Sequence, residues 1–212
     1  MRYSDRREAG QQLAKALDHY RGQDVVVLAL PRGGVPVASE VAAHLNAPLD
    51  LLLVRKIGVP WQPELAMGAV IDGDRPAVVR NDETIRLAGV TDAEFESIYQ
   101  RELAEIERRR RLYFAGRPPA EIAGRVVIVV DDGIATGATV KAAVIGLKSK
   151  GPAKIVVAVP VAPPDAVAEL KREADEVICP LQPRMFGAIG YFYSDFEQLT
   201  DTDVMNFFAG RS

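Results

Sequence analysis

The sequence predicts an α/β fold, with roughly five parallel strands in one sheet flanked by helices. Apolar runs alternate with amphipathic stretches along most of the chain, several runs are continuous, and each is followed by a loop and a helical pattern. Continuous runs suit strands covered on both faces, and strands alternating with helices argue for a right-handed parallel sheet. Ligands in such sheets bind beyond the carboxyl ends of the strands.

The 212 residues suit one domain with an elaboration, and 48% hydrophobic with 26% charged residues is the composition of an ordinary globular protein. A formal net charge of -3 gives no global basic field, so nucleic acid is not the expected partner. The charged N-terminal stretch MRYSDRREAGQQLAKAL does not read as a secretory signal, and no window is long and apolar enough to span a bilayer. The cytoplasm is therefore the expected compartment. The lone Cys179, in the apolar run EVICPL, reads as a buried strand thiol and excludes a disulfide framework and a cysteine metal site.

In chain order, 4–20 read as an amphipathic helix capped by Ser4, with Ala9, Leu13, Ala16, Leu17 and Tyr20 near one face. A buried strand from Val25 to Leu30 follows, then the loop PRGG and a helix from about Val35 to Asn46. Strands are predicted at 49–56, 125–132, 153–161 and EVICPL, with helices at 138–150 and 164–173. Between Lys56 and Gly124 the alternation is interrupted. There IGVPWQPE reads as a Pro-containing loop and AMGAVIDGDRPAVV as one or two short strands. Residues 92–114 read as a charged helix turning Phe95, Ile98, Tyr99, Leu103 and Ile106 inward and offering a surface for self-association. Its run Arg108 to Arg111 reads as a solvated helix end, where cations favour the dipole.

The segment VVIVVDDGIATGAT, residues 126–139, carries the chemistry. An apolar strand would hold Asp131 and Asp132 at its carboxyl end, and the small-residue loop from Gly133 to Thr139 would turn amides and hydroxyls toward a helix N-terminus, where a phosphate is favoured. Carboxylates accept hydrogen bonds from sugar hydroxyls, while amides and the Thr136 and Thr139 hydroxyls donate to phosphate oxygens. The motif resembles the 5-phosphoribosyl 1-pyrophosphate (PRPP) signature of the type I phosphoribosyltransferases, in which an apolar strand and two acids precede a loop of the form xxxTGxT. That resemblance implies the type I fold, with residues 57–124 as a flexible loop plus inserted segment and 181–212 as a small C-terminal hood on a single domain. It implies that Asp131 and Asp132 hold the ribose hydroxyls and that Gly133, Ile134, Ala135, Thr136, Gly137, Ala138 and Thr139 form the 5-phosphate loop. It also implies Mg²⁺ as cofactor, and Asp131 as one of its ligands.

Three further segments fit the family. LPRGGVPVA looks like its pyrophosphate loop, in which Gly33 and Gly34 permit close backbone approach and Arg32 supplies a forked cation. Arg55 and Lys56 resemble the pair opening the closing loop of the adenine-type members, a loop that excludes water from a ribosyl cation; Glu64 within it could protonate or orient a base. QPRMFGAIGYFYSDFEQLTDTDV resembles the hood of the hypoxanthine-guanine branch, with spacing two residues longer. By that likeness Phe186 stacks on a base and Asp195 faces magnesium and pyrophosphate, while Tyr191, Phe192 and Tyr193 read either as stacking or as core residues.

Two departures bear on the acceptor. Members acting on 6-oxopurines carry an aspartate where this chain has Ala135 and a lysine where it reads PVAPP; Ala135 is similar to the adenine-type and several bacterial members. The resemblance thus implies pentosyl transfer from PRPP to a nitrogenous base, with Asp131, Asp132, Lys56 and Arg32 as the catalytic set. The alternative is a catalytically silent PRPP-sensing regulator or accessory protein. A relative of the PRPP synthases is a third reading, against which the chain has no room for paired domains and no GxxxxGK[ST] loop.

Overall fold

The structure is a computed structural model that describes residues 2–72, 76–114 and 118–209. Its main sheet is parallel, in the order β2-β1-β6-β7-β8, with strands β1 (Val25–Ala29), β2 (Leu49–Leu51), β6 (Val126–Val130), β7 (Lys154–Ala158) and β8 (Glu176–Ile178). The central three strands are almost wholly buried because alternate residues feed two cores. Val25, Val27, Ala29, Ile128 and Val130 pack against helices α1 (Arg6–Ala16) and α2 (Gly34–Leu45). Val26, Leu28, Val127 and Val129 pack against α5 (Ala138–Lys148) and α6 (Pro164–Leu170). The helix after β1 and the helix after β6 therefore cover opposite faces, and β1 and β6 are neighbours. This is a topological switch point, where the two following loops open a crevice.

The interrupting segment differs from its sequence reading. The strand predicted over 49–56 is two strands: β2 ends at Leu51, and the chain leaves the parallel sheet to begin β3 (Val54–Val59). β3 pairs antiparallel with β4 (Gln62–Ile71), and β4 with β5 (Ala77–Arg80). IGVPWQPE is thus a β-hairpin turning at Pro60 and Trp61, not a loop, and Lys56 lies within a strand. The glycine and prolines that read as loop signals sit where the ladder is irregular, with register shifts on either side of Gly58. Of the predicted AMGAVIDGDRPAVV strands, residues 73–75 lie outside the described residues, as do 115–117 of the inserted segment and 210–212 of the hood.

A short helix α3 (Asp82–Ala88), capped by Asn81, has no counterpart in the sequence reading. The long helix α4 (Asp92–Phe114) follows. It buries Phe95 and Ile106 and partly buries Ile98, Tyr99 and Leu103, the face its periodicity indicated. Its arginine run is not simply solvated: the Arg109 side chain is only 20% exposed, and Arg110 lies 3.8 Å from the Asp72 carboxylate. The Ser4 cap is corrected as well. Asp5 caps α1 by accepting from Glu8 N, and Glu8 reaches back to Ser4 N and Oγ at 2.6 and 2.7 Å. Beyond β8 the segment expected as a hood bridges Val161 through Leu181 and reaches the Asp132 carbonyl with Tyr193, so it passes the carboxyl ends of β6 and β7, and it contains α7 (Asp201–Ala209), also unforeseen. Among the described residues no helix is long and apolar enough to cross a membrane.

Candidate active site

The two switch-point loops touch through their backbones. A Cβ on Gly33 would run into the Asp132 carboxylate, and one on Gly34 would stand 2.6 Å from the Val130 carbonyl oxygen and 3.0 Å from Asp131 Cα. The Gly34 clash is with backbone and could not be relieved by a side-chain shift, and a side chain at Gly33 would displace the Asp132 carboxylate, so the glycines of PRGG let this backbone lie against the acids. The Pro31–Arg32 peptide within this loop is cis. Arg32 is half-buried, its guanidinium 3.9 Å from Asp201 at the start of α7.

Asp131 and Asp132 follow the last residue of β6, as the motif indicates. Asp131 accepts the Asp132 amide at 2.8 Å and lines a cavity of about 220 Å³ with Gly133 to Val140 and Ile189 of the hood. Ile134 turns into the core while Ala135, Thr136, Ala138 and Thr139 face out. Gly137, at φ 78°, adopts the left-handed backbone that glycine accepts without strain and precedes α5 with no side-chain cap. The first-turn amides of a helix have no intrahelical acceptor, so an uncapped start beside this cavity leaves donors for an anion.

Burial, and next the adjacent Asp132 charge, push the Asp131 carboxyl well above the usual carboxylate range. Burial also raises Asp132, against the hydrogen bond and charge of Arg6 that favour its ionised form. Arg6 Nε lies 2.8 Å from Asp132 Oδ2, and both side chains are about nine-tenths buried. Tyr193 of the hood donates its hydroxyl to the Asp132 carbonyl.

A larger cavity of about 470 Å³ opens between the β3–β4 hairpin and α4, lined by Arg55, Lys56, Glu64, Arg101, Glu102 and Thr139 among others. Thr139 ends the loop 133–139, so this groove adjoins it. Arg55 pairs with the buried Glu102 at 2.7 Å, and Lys56 with the exposed Glu64 at 3.1 Å. A small gap beside Pro31 and Thr139 is lined by both Arg55 and Arg109.

The hood places its residues differently from one another. Phe186 stacks on Phe192 with centroids 5.2 Å apart, Tyr193 is core, and Tyr191 is 72% exposed. Asp195 is exposed on the hood, where its carboxylate accepts the Glu197 amide. Among the described residues, no group of three or more His, Cys, Asp or Glu side chains is arranged to hold a metal. The structure thus gathers Arg32, Gly33, Gly34, Asp131, Asp132 and residues 133–139 at one crevice and sets Arg55 and Lys56 on its flank.

Sequence reasoning missed Arg6, Arg109 and Asp201. Arg109 could have been found, since it continues the inward spacing of Ile98, Glu102 and Ile106. Arg6 could not, because it meets Asp132 across 126 positions with no local pattern to announce the contact.

The profile of the phosphoribosyl transferase domain matches residues 6–197. Over 205 residues the chain is 47% identical to a Mycobacterium tuberculosis protein, in strains CDC 1551 and H37Rv, named as a presumed phosphoribosyl transferase. The match covers 97% of this chain but 46% of the relative, so the chain spans about half the length of these curated relatives. The crystal structure of TT1426 from Thermus thermophilus is 44% identical, with TM-score 0.86 over 98% of this chain and 97% of that one. The AQ2163 protein of Aquifex aeolicus, 11% identical with TM-score 0.52 over 87% of this chain and 78% of that one, shares the fold. The chain belongs to the phosphoribosyl transferase domain family, in its type I form.

Proposed function

We propose that the protein transfers the 5-phosphoribosyl group of PRPP to a ring nitrogen of a nitrogenous base, releasing pyrophosphate in the presence of Mg²⁺. The observation that carries this reading is the packing of the Gly33–Gly34 backbone against Asp131 and Asp132, beside the uncapped loop 133–139. A sugar bearing a phosphate on one side and a pyrophosphate on the other fits two anion-binding loops meeting at a pair of acids.

In this reading Asp131 and Asp132 accept from the ribose hydroxyls, and the amides and hydroxyls of Thr136 to Thr139 bind the 5-phosphate. Arg32 and the Gly33 and Gly34 amides hold the departing pyrophosphate, joined by Arg55 and Lys56 once they exchange their carboxylate partners for phosphate oxygens. The C1–oxygen bond breaks as the C1–nitrogen bond forms. Positioning and charge stabilisation, rather than covalent catalysis, lower the barrier. Mg²⁺ typically takes one or two carboxylates together with substrate phosphates and water. Asp131 would be its protein ligand, and the ion would neutralise charge on the leaving group.

Phe186 and Tyr191 would contact the base and Asp195 the magnesium or pyrophosphate; these assignments rest on likeness to the hood. Val161 and Ala162, in the stretch where 6-oxopurine members carry a lysine, are fully buried and apolar, which argues against hypoxanthine or guanine. A panel of nucleobases with PRPP and Mg²⁺, scored by pyrophosphate release, tests the proposal. Release with at least one base is expected. PRPP binding with no release from any base would favour the silent PRPP-sensing regulator instead.

A further inference from the structure

Arg6 opens α1, yet its side chain ends at the donor acids. Its Nε donates to Asp132 Oδ2 at 2.8 Å, Nη1 donates to the Glu197 carbonyl at 2.9 Å, and the guanidinium lies 3.9 Å from the Phe196 ring centroid. One planar cation thus joins three separate parts of the chain: the strand end carrying the acids, the hood, and the first helix.

The surrounding backbone explains how it gets there. Tyr3 and Tyr193 form a parallel bridge, Tyr3 N donates to the Phe192 carbonyl, and the Ser194 and Asp195 amides donate to the carbonyls of Tyr3 and Ser4 at 2.8 Å. The N-terminal segment therefore runs alongside the hood through a single bridge and its flanking hydrogen bonds, and the cap at Asp5 turns it into α1 with Arg6 reaching the acids. Tyr193 stacks on Phe196 at 4.8 Å while its hydroxyl holds the Asp132 carbonyl. Asp132 is consequently fixed from its main chain by the hood and from its side chain by Arg6.

We propose that Arg6 is a positioning residue for the donor: it sets the Asp132 carboxylate against the Gly33 backbone and couples that setting to the hood. A lysine could supply charge to Asp132 but not fixed donors to Asp132 and to the Glu197 carbonyl together with a flat face over Phe196. This inference rests on the reading of the crevice as a PRPP site.

The test is calorimetric titration of the full chain with PRPP at saturating Mg²⁺, for wild type, Arg6→Ala, Arg6→Lys and Arg2→Ala, with Tm measured for each. Arg2 is the control, since its Nε ties the N-terminal segment to the Tyr193 carbonyl at 2.7 Å rather than to the acids. Arg6→Ala is expected to weaken PRPP binding roughly 10–100-fold, the usual cost of removing a residue that orients a ligand-binding group. Arg6→Lys is expected to recover part of that loss, and Arg2→Ala to stay within about twofold of wild type whatever its Tm. Unchanged affinity in folded Arg6→Ala, or equal weakening in Arg2→Ala, would overturn the inference alone. Should Arg6→Ala not fold, an Arg6→Lys affinity equal to that of Arg2→Ala overturns it. A wild type that binds no PRPP overturns the proposed function, and this inference with it.

Discussion

Asp131 and Asp132 are adjacent in sequence but sit in unlike surroundings, and the difference has a measurable consequence. Asp132 has Arg6 beside it; Asp131 is half-buried next to its neighbour's charge, and desolvation and that charge raise its carboxyl well above the usual range. A carboxyl raised in the folded state binds its proton more tightly there than in the unfolded chain. Its effect on stability is therefore most favourable below the ordinary carboxylate range and is lost as pH rises from that range to the raised value of the folded state. Near neutral pH, Asp131→Asn is expected to raise Tm by about 2–4 °C, the shift that about 1 kcal/mol produces in a chain of this size. Asp132→Asn strips the nearly buried Arg6 of its carboxylate and is expected to lower Tm. Thermal unfolding of the two single variants checks this, and a fall in Tm for Asp131→Asn would count against the assignment. Cys179 behaves as its apolar run indicated: it is buried, and burial pushes its thiol up to about 11, which keeps it neutral and unreactive at physiological pH.

At the scale of elements, those legible in the sequence were the ones whose form is decided locally. β1, β6 and β7 are short apolar runs of the kind a doubly covered strand accommodates, and the acids and the small-residue loop 133–139 follow β6 where the motif places them. The hairpin was not legible, because Gly58, Pro60 and Pro63 carry loop signals that strand pairing overrides. Nor was the division of 49–56, whose apolar residues serve two sheets in turn. The hairpin also changes what closure over the donor would mean: a twisted ribbon bearing Lys56 and Glu64 would pivot against α4, rather than a loop becoming ordered. Trp61, the one tryptophan of the chain, stands at its tip and is 59% exposed. Addition of PRPP and Mg²⁺ is expected to shift its fluorescence to shorter wavelength as the tip leaves water. Emission unchanged at saturating PRPP would show that the hairpin stays open.

Across the whole molecule, the two ends of the parallel sheet carry different burdens. At the amino ends of β7 and β8, Lys154 donates to Glu176 and to the Tyr20 hydroxyl, both at 2.6 Å, tying the turn after α1 to the sheet edge. The hydrogen bond from Lys154, and next that from Tyr20, lower the Glu176 carboxyl. A lowered carboxyl contributes stability above the ordinary glutamate range and loses it as pH falls through the folded value. The Tm difference between wild type and Glu176→Gln is therefore expected to be present at neutral pH and to vanish in acid, with PRPP affinity unaffected. A constant difference across that range would contradict it. At the carboxyl ends, the crevice joins groups from residue 6 to residue 201, and this is why the sequence disclosed the two crevice loops but not their supports. Loops are written in consecutive residues, whereas Arg6 and Asp201 reach the site only through packing. In the proposed function this crevice binds PRPP through its paired acids. Titration with PRPP and Mg²⁺ of wild type and the Asp131→Asn/Asp132→Asn double variant decides it. Saturable binding by wild type and none by a folded double variant is expected; equal affinity in the two would contradict it.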